Sequence, residues 1–186
     1  MWETRPDMEA ARGASLTPAE DGPGSRPYVL TFTLVALGVW VIDQLTKLWA
    51  VDRLQGEPSI EVLPPVLNLT FVRNPGAAFG MGTSMTVVLS IVAVAVAVVV
   101  VRAASRLRDR GWAIGLGLLL GGAIGNLTDR ILREPAVLRG HVVDFLDYGP
   151  FVGNVADVAL TFAAVIIVWR TLRGVGLDGQ KVEDDA

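Results

Sequence analysis

A chain of 186 residues is long enough for one compact domain and too short for two large ones. It is 52% hydrophobic, carries a formal charge of -3, and contains no cysteine and one histidine, His141. These absences exclude disulfides, thiolate nucleophiles, cysteine-ligated metals and the two-histidine zinc site of HExxH proteases. The arginines are scattered and form no single basic face for nucleic acid. The only lysines are Lys47 and Lys181, so any chemistry falls to carboxylates, amides, hydroxyls or one buried lysine.

Residues 1–27 are rich in Pro, Gly, Ser and charge, and read as a disordered tail without the hydrophobic stretch of a secretory signal. Four apolar blocks follow, near 28–51, 85–101, 112–129 and 151–169, each close to the roughly 20 residues a helix needs to cross a hydrocarbon core. The second block is β-branched enough to suggest a strand. An unclosed strand in lipid leaves its backbone unpaired, so a helix is expected. The fold class is therefore an all-α membrane protein of four transmembrane helices. In the first long loop, residues 60–63, Pro64-Pro65, 66–73 and Asn74-Pro75-Gly76 predict two short strands with turns, a small extracytoplasmic sheet. Residues 28–173 would form one transmembrane domain, followed by a polar, acidic and disordered tail over 174–186.

Arginine bias sets the orientation. The short loop 102–110 carries Arg102, Arg106, Arg108 and Arg110, whereas the longer loops 52–84 and 130–153 carry two and three arginines. Both termini and the short loop are expected in the cytoplasm, and the two longer loops outside.

The polar residues inside these blocks carry the most information, because a charge in the bilayer usually has a partner or a function. Asp43 and Lys47 lie in the outer half of the first helix, Asn126 and Asp129 end the third, and Asn154 and Asp157 begin the fourth. Opposed helix directions bring all six to one depth near the outer interface. Gly125-Asn126-Leu127-Thr128-Asp129 and Gly153-Asn154-Val155-Ala156-Asp157 also repeat the pattern G-N-x-x-D. Two carboxylates with flanking amides at one depth suggest an acid–base dyad of Asp129 and Asp157. Helix-end potentials assign the proton to Asp129 and leave Asp157 ionised.

Other readings of single residues stay open. Asn154 and Asp157 could be an N-cap and a first-turn acid. Asp43 and Lys47 have the spacing of an intrahelical ion pair. Asn74 could be a turn residue, and His141 an interfacial structural one. A proton channel relaying through Asp43, Asp129 and Asp157, a Ser-Lys protease using Lys47 with Ser84 or Ser90, and a membrane protein without catalysis are the rival functions. The apolar inner halves of the helices and the paired motif weigh against them.

The sequence resembles the lipoprotein signal peptidases (signal peptidase II), aspartyl proteases of bacterial membranes. The resemblance spans nearly all of 28–170 in five ordered blocks: Val41 to Lys47, Arg73 to Gly80, Gly121 to Arg130, Val142-Val143-Asp144-Phe145, and Gly153 to Asp157. It departs from the family at Gly153, often Phe there, and in its long N-terminal tail. It implies a monomeric, multi-pass enzyme of the bacterial cytoplasmic membrane, needing no cofactor, with its site near the outer leaflet among membrane lipids. The substrate would be a prolipoprotein carrying a diacylglyceryl-modified cysteine, cut on the N-terminal side of that cysteine. Asp129 and Asp157 would be the catalytic pair, with Asp43, Lys47, Asn74, Asn126, Arg130 and Asn154 binding substrate or supporting the site.

Overall fold

The computed structural model describes residues 26–76 and 84–181. The tail reading over 1–25, the end of the second sequence block (77–80) and the side chain of Ser84 therefore lie outside the described residues, while Arg26 and Pro27, read as the end of the tail, open the first helix. Among the described residues four helices are long and apolar enough to cross a membrane: α1 (Arg26–Leu54), α2 (Ser84–Ala104), α3 (Arg110–Leu132) and α4 (Val155–Leu172). The valine-rich second block is helical throughout, as the backbone argument requires. Large side chains such as Leu34 and Leu48 on α1 and Val165 and Val168 on α4 are more than half exposed, the exterior expected of a surface solvated by lipid.

α3 is the central helix. In its apolar stretch 56% of residues are buried, against 17% in each of the others. Small residues make this possible. A Cβ on Gly121 would stand 2.7 Å from the Ala36 carbonyl of α1, and one on its neighbour Gly122 would stand 2.8 Å from the Ala156 carbonyl of α4. Adjacent residues point about 100° apart around a helix, so two consecutive glycines admit two different partners.

At one end of the bundle lies a four-stranded antiparallel sheet in the order β1 (Ile60–Leu63), β2 (Leu67–Asn74), β3 (Val142–Asp147) and β4 (Val152–Gly153). The first two strands match the sequence reading. The sheet is not confined to the first long loop, however. The second loop supplies the other half, with Arg73 opposite Val143 and Asn74 opposite Val142. The fourth apolar block is consequently split: Val152 and Gly153 are strand, Asn154 caps, and the helix starts at Val155. Ala50 and Leu54 at the end of α1 pack with Val143 and Phe145 of β3, which seats the sheet on the helices.

At the opposite end, Asp109 caps α3 by accepting from the Trp112 N–H at 2.8 Å, and it pairs with Arg170 of α4, whose Nε lies 3.0 Å away. The segment past Arg173, expected to be a disordered tail, is folded as far as Lys181. Trp112 Nε1 donates to the Val175 carbonyl and the Arg108 N–H to the Leu177 carbonyl, both at 2.8 Å. Leu177 packs against the core cluster around Leu107 and Leu116, burial that a reading based on polarity overlooks.

Candidate active site

Five elements converge beneath the sheet: the end of α1, the end of β2, the last turns of α3, the middle of β3 and the first turn of α4. They bring together Asp43, Lys47, Asn74, Asn126, Asp129, Arg130, Asn154 and Asp157, and they add Asp144, to which the sequence reading gave no role.

These residues divide into two groups. In the first, Lys47 Nζ lies 2.9 Å from Asp43 Oδ2 and 3.0 Å from Asp129 Oδ2, confirming the i, i+4 ion pair and adding a second acid. Arg133 Nε meets Asp129 Oδ1 at 2.8 Å. The Val143 N–H donates to Asp129 Oδ2 at 3.1 Å, and the Ala156 N–H donates to Asp43 Oδ1 at 3.0 Å. Asp43 and Lys47 are fully buried and Asp129 is 1% exposed. Two carboxylates face one ammonium and one guanidinium, so the cluster is electroneutral. Such a group ties α1, α3, α4 and β3 together, because removing any member leaves a buried charge uncompensated.

The second group holds Asp144 and Asp157. Asp144, 2% exposed in β3, accepts from Asn74 Nδ2 at 2.8 Å and from Asn154 Nδ2 at 2.5 Å. Asp157 accepts from Asn126 Nδ2 at 2.9 Å and from the Asn154 N–H at 3.0 Å, and its own N–H donates to Asn154 Oδ1 at 3.2 Å, closing a capping box. The cap reading of Asn154 and Asp157 is therefore correct without excluding a further role. Burial pushes the Asp144 carboxyl up to about 6; the Asn74 hydrogen bond opposes this and the nearby charge of Asp157 adds to it.

The surroundings of the two groups differ. Asp157 and Asn154 line a cavity of about 210 Å³ whose apolar wall includes Phe151, Val158 and Phe162. Neither Asp129 nor Asp144 lines it. Arg130 lies within electrostatic reach of Asp144, Asp157 and Asp129; its Nη1 bonds the Asn126 carbonyl at 3.5 Å, and its Nε is buried without a hydrogen-bond partner among the described residues. Ser90 is buried with its hydroxyl 2.8 and 2.9 Å from the carbonyls of Thr86 and Leu138, and Lys47 gives its contacts to Asp43, Asp129 and Asn126. A Ser-Lys pair with Ser90 has no geometry here.

A family model described as Signal peptidase (SPase) II matches residues 35–173, three quarters of the sequence. The chain belongs to the signal peptidase II family. It is thus a peptidase and a multi-pass bacterial membrane protein. Among relatives named lipoprotein signal peptidase, that of Leifsonia xyli subsp. xyli is 45% identical over 159 residues, 84% of this chain and 74% of the relative. That of Streptomyces coelicolor is 40% identical over 185 residues, 98% of this chain and 90% of the relative. A solved bacterial membrane enzyme, determined by the in meso method at 1.9 Å, is 31% identical with a TM-score of 0.66, covering 77% of this chain and 93% of that one. A second, at 2.3 Å, is 29% identical with a TM-score of 0.65, covering 84% and 94%.

Within this signal peptidase II fold, the geometry bears on the sequence reading of two aspartates. Asp129 was expected to be one of the catalytic pair and to hold the shared proton. Both its oxygens face cations, and it is buried away from the cavity. Asp144 is linked to Asp157 through Asn154. The available signal was an acid inside the otherwise apolar run Val142-Val143-Asp144-Phe145-Leu146, a place where burial makes a carboxylate costly. Arg133, four residues after Asp129, was also overlooked.

Proposed function

We propose that this protein removes signal peptides from prolipoproteins whose cysteine carries a diacylglyceryl group, cutting on the N-terminal side of that cysteine, with Asp144 and Asp157 as an acid–base pair. One observation carries the reading: a single residue, Asn154, bonds both carboxylates, Asp144 through its side-chain amide and Asp157 through its backbone N–H, and with Asp157 it lines an apolar cavity. The names of the relatives supply the substrate class.

Amide hydrolysis without a protein nucleophile needs an activated water and a proton for the leaving nitrogen. Asp157, whose oxygens accept two N–H donors, is the ionised partner and takes the proton of the water. Asp144, with its raised pKa, is the protonated partner and gives its proton to the departing amine. Arg130 supplies positive charge for the oxygen that becomes negative in the tetrahedral intermediate. The apolar residues beside Asp157 receive the lipid-bearing end of the substrate. Arginine bias assigns the termini to the cytoplasm and the sheet to the outer face, so that a monomer takes its substrate from the outer leaflet.

The deciding experiment compares the purified protein, in lipid nanodiscs, on a precursor peptide with and without a diacylglyceryl cysteine. Cleavage of the lipidated peptide alone, immediately before its cysteine, supports the reading. Equal cleavage of both, or cleavage elsewhere, overturns it.

A further inference from the structure

The buried ammonium of Lys47 has three N–H donors and meets three acceptors: Asp43, Asp129 and, at 3.0 Å, Asn126 Oδ1. The first two contacts complete the electroneutral cluster. The third leaves it and leads to the other group. An ammonium has donors and no lone pair, so the arm of the Asn126 amide facing it has to be the oxygen. That fixes the opposite arm, and Nδ2 points at Asp157 Oδ1, 2.9 Å away. Reversed, the amide would set its NH2 against the ammonium and its oxygen against the Asp157 carboxylate. Asn154 Nδ2 also donates to Asn126 Oδ1, at 3.1 Å, but its shorter bond goes to Asp144 at 2.5 Å. Lys47 is the charged donor on that oxygen, and charge-assisted bonds are the stronger kind.

We propose that Lys47 is a positioning residue for the reaction: acting through the side-chain amide of Asn126, it holds the Asp157 carboxylate in the orientation that water activation requires. This rests on the assignment of Asp157 made above. It goes beyond charge balance, for which only the two acids matter.

The two roles separate when charge is balanced without the ammonium. Lys47→Met combined with Asp43→Asn removes one positive and one negative charge and leaves Asp129 with Arg133. Lys47→Gln combined with Asp43→Asn has the same net charge but retains an N–H donor able to reach Asn126. Both double variants should melt close to the parent. The Met variant should lose about tenfold or more in kcat with KM nearly unchanged, and the Gln variant should recover most of the loss. Parental kcat in the Met variant, or equal kcat in the two, overturns the proposal. If neither assembles, Asn126→Asp decides: it presents an oxygen to Lys47 but has no donor for Asp157, and parental kcat there overturns the proposal as well. Asp157→Asn is the control for the underlying reading. Cleavage by that variant removes the dyad itself, whereas its inactivity beside active Lys47 variants removes only the role of Lys47.

Discussion

The carboxylate of Asp43 occupies the space that a side chain at Gly125 would need: its Oδ2 lies 2.6 Å from the position of a Cβ there. That oxygen cannot simply swing aside, because it also takes Lys47 Nζ at 2.9 Å and Gln44 Nε2 at 3.0 Å. Gly125→Ala should therefore destabilise the protein by about 1–3 kcal/mol, the usual range for overpacking. Gly38→Ala on α1 meets nothing within 4 Å among the described residues and should be neutral or stabilising by up to about 1 kcal/mol. Thermal unfolding of both in one detergent checks the contrast, and equal melting temperatures would contradict it.

Cleavage and stability should part company among the aspartates. Asp144→Asn and Asp157→Asn keep the shape of the side chain and lose the titrating proton, so each should abolish cleavage while the protein still folds. Asp129→Asn strips one charge from a balanced buried cluster and should cost about 3–5 kcal/mol of stability. Cleavage assays alongside melting curves test this. A stable, inactive Asp129→Asn beside an active Asp144→Asn would restore the pairing suggested by the repeated motif.

The pKa of Asp144 has two consequences for pH. The folded value of about 6 lies above the ordinary 3.8, so the native state holds a proton that the unfolded chain has released. The stability this group contributes is fully present below 3.8 and is lost as pH rises through about 6. If Asp144 must be protonated to act, kcat/KM should also fall across its upper range. Asp157→Asn removes the charge that helps raise this pKa and should lower it, whereas Asn74→Ala removes a hydrogen bond that opposes the rise and should raise it. Carbon-13 titration of labelled aspartate measures both shifts, and shifts of the opposite sign would count against the dyad.

At the far end of the bundle, Asp109 is at once the cap of α3 and the partner of Arg170. Asp109→Ala loses both and should destabilise by more than the roughly 1 kcal/mol of a lost cap alone. Asp109→Asn keeps a capping oxygen and should fall between the alanine variant and the parent in melting temperature. Coincident values for the two variants would mean that the cap contributes nothing here.

The helices were legible because lipid solvation demands long apolar runs, and all four were expected from such runs. The first two strands were legible from their turns. β3 was not, because Val142 to Asp147 alternates nothing: its first four residues are all buried. The repeated G-N-x-x-D pattern drew attention to Asp129 and none to Asp144, since sequence spacing treats its two copies as equivalent. They are not. Asn126 lies inside a helix, whereas Asn154 is an N-cap with extended backbone, so the two Asn–Asp pairs face differently. The supporting residues Asp43, Lys47, Asn126 and Asn154 were found because their polarity in apolar helices was anomalous. Asp144 lay in a loop, where an acid attracts no notice.

The pairing of β2 with β3 joins two loops separated in the chain by α2 and α3, and Asp157 follows later still, at the start of α4. During synthesis β2 emerges long before its partner, and its free edge must wait until two further helices have entered the bilayer. Asn74 meets Asp144 only after that wait, and Asp157 joins them with the last helix. If Asp144 and Asp157 are the acid–base pair, a ribosome-bound chain lacks half of it until the start of its final helix has been made, and the order of translation would keep the unfinished protease inert.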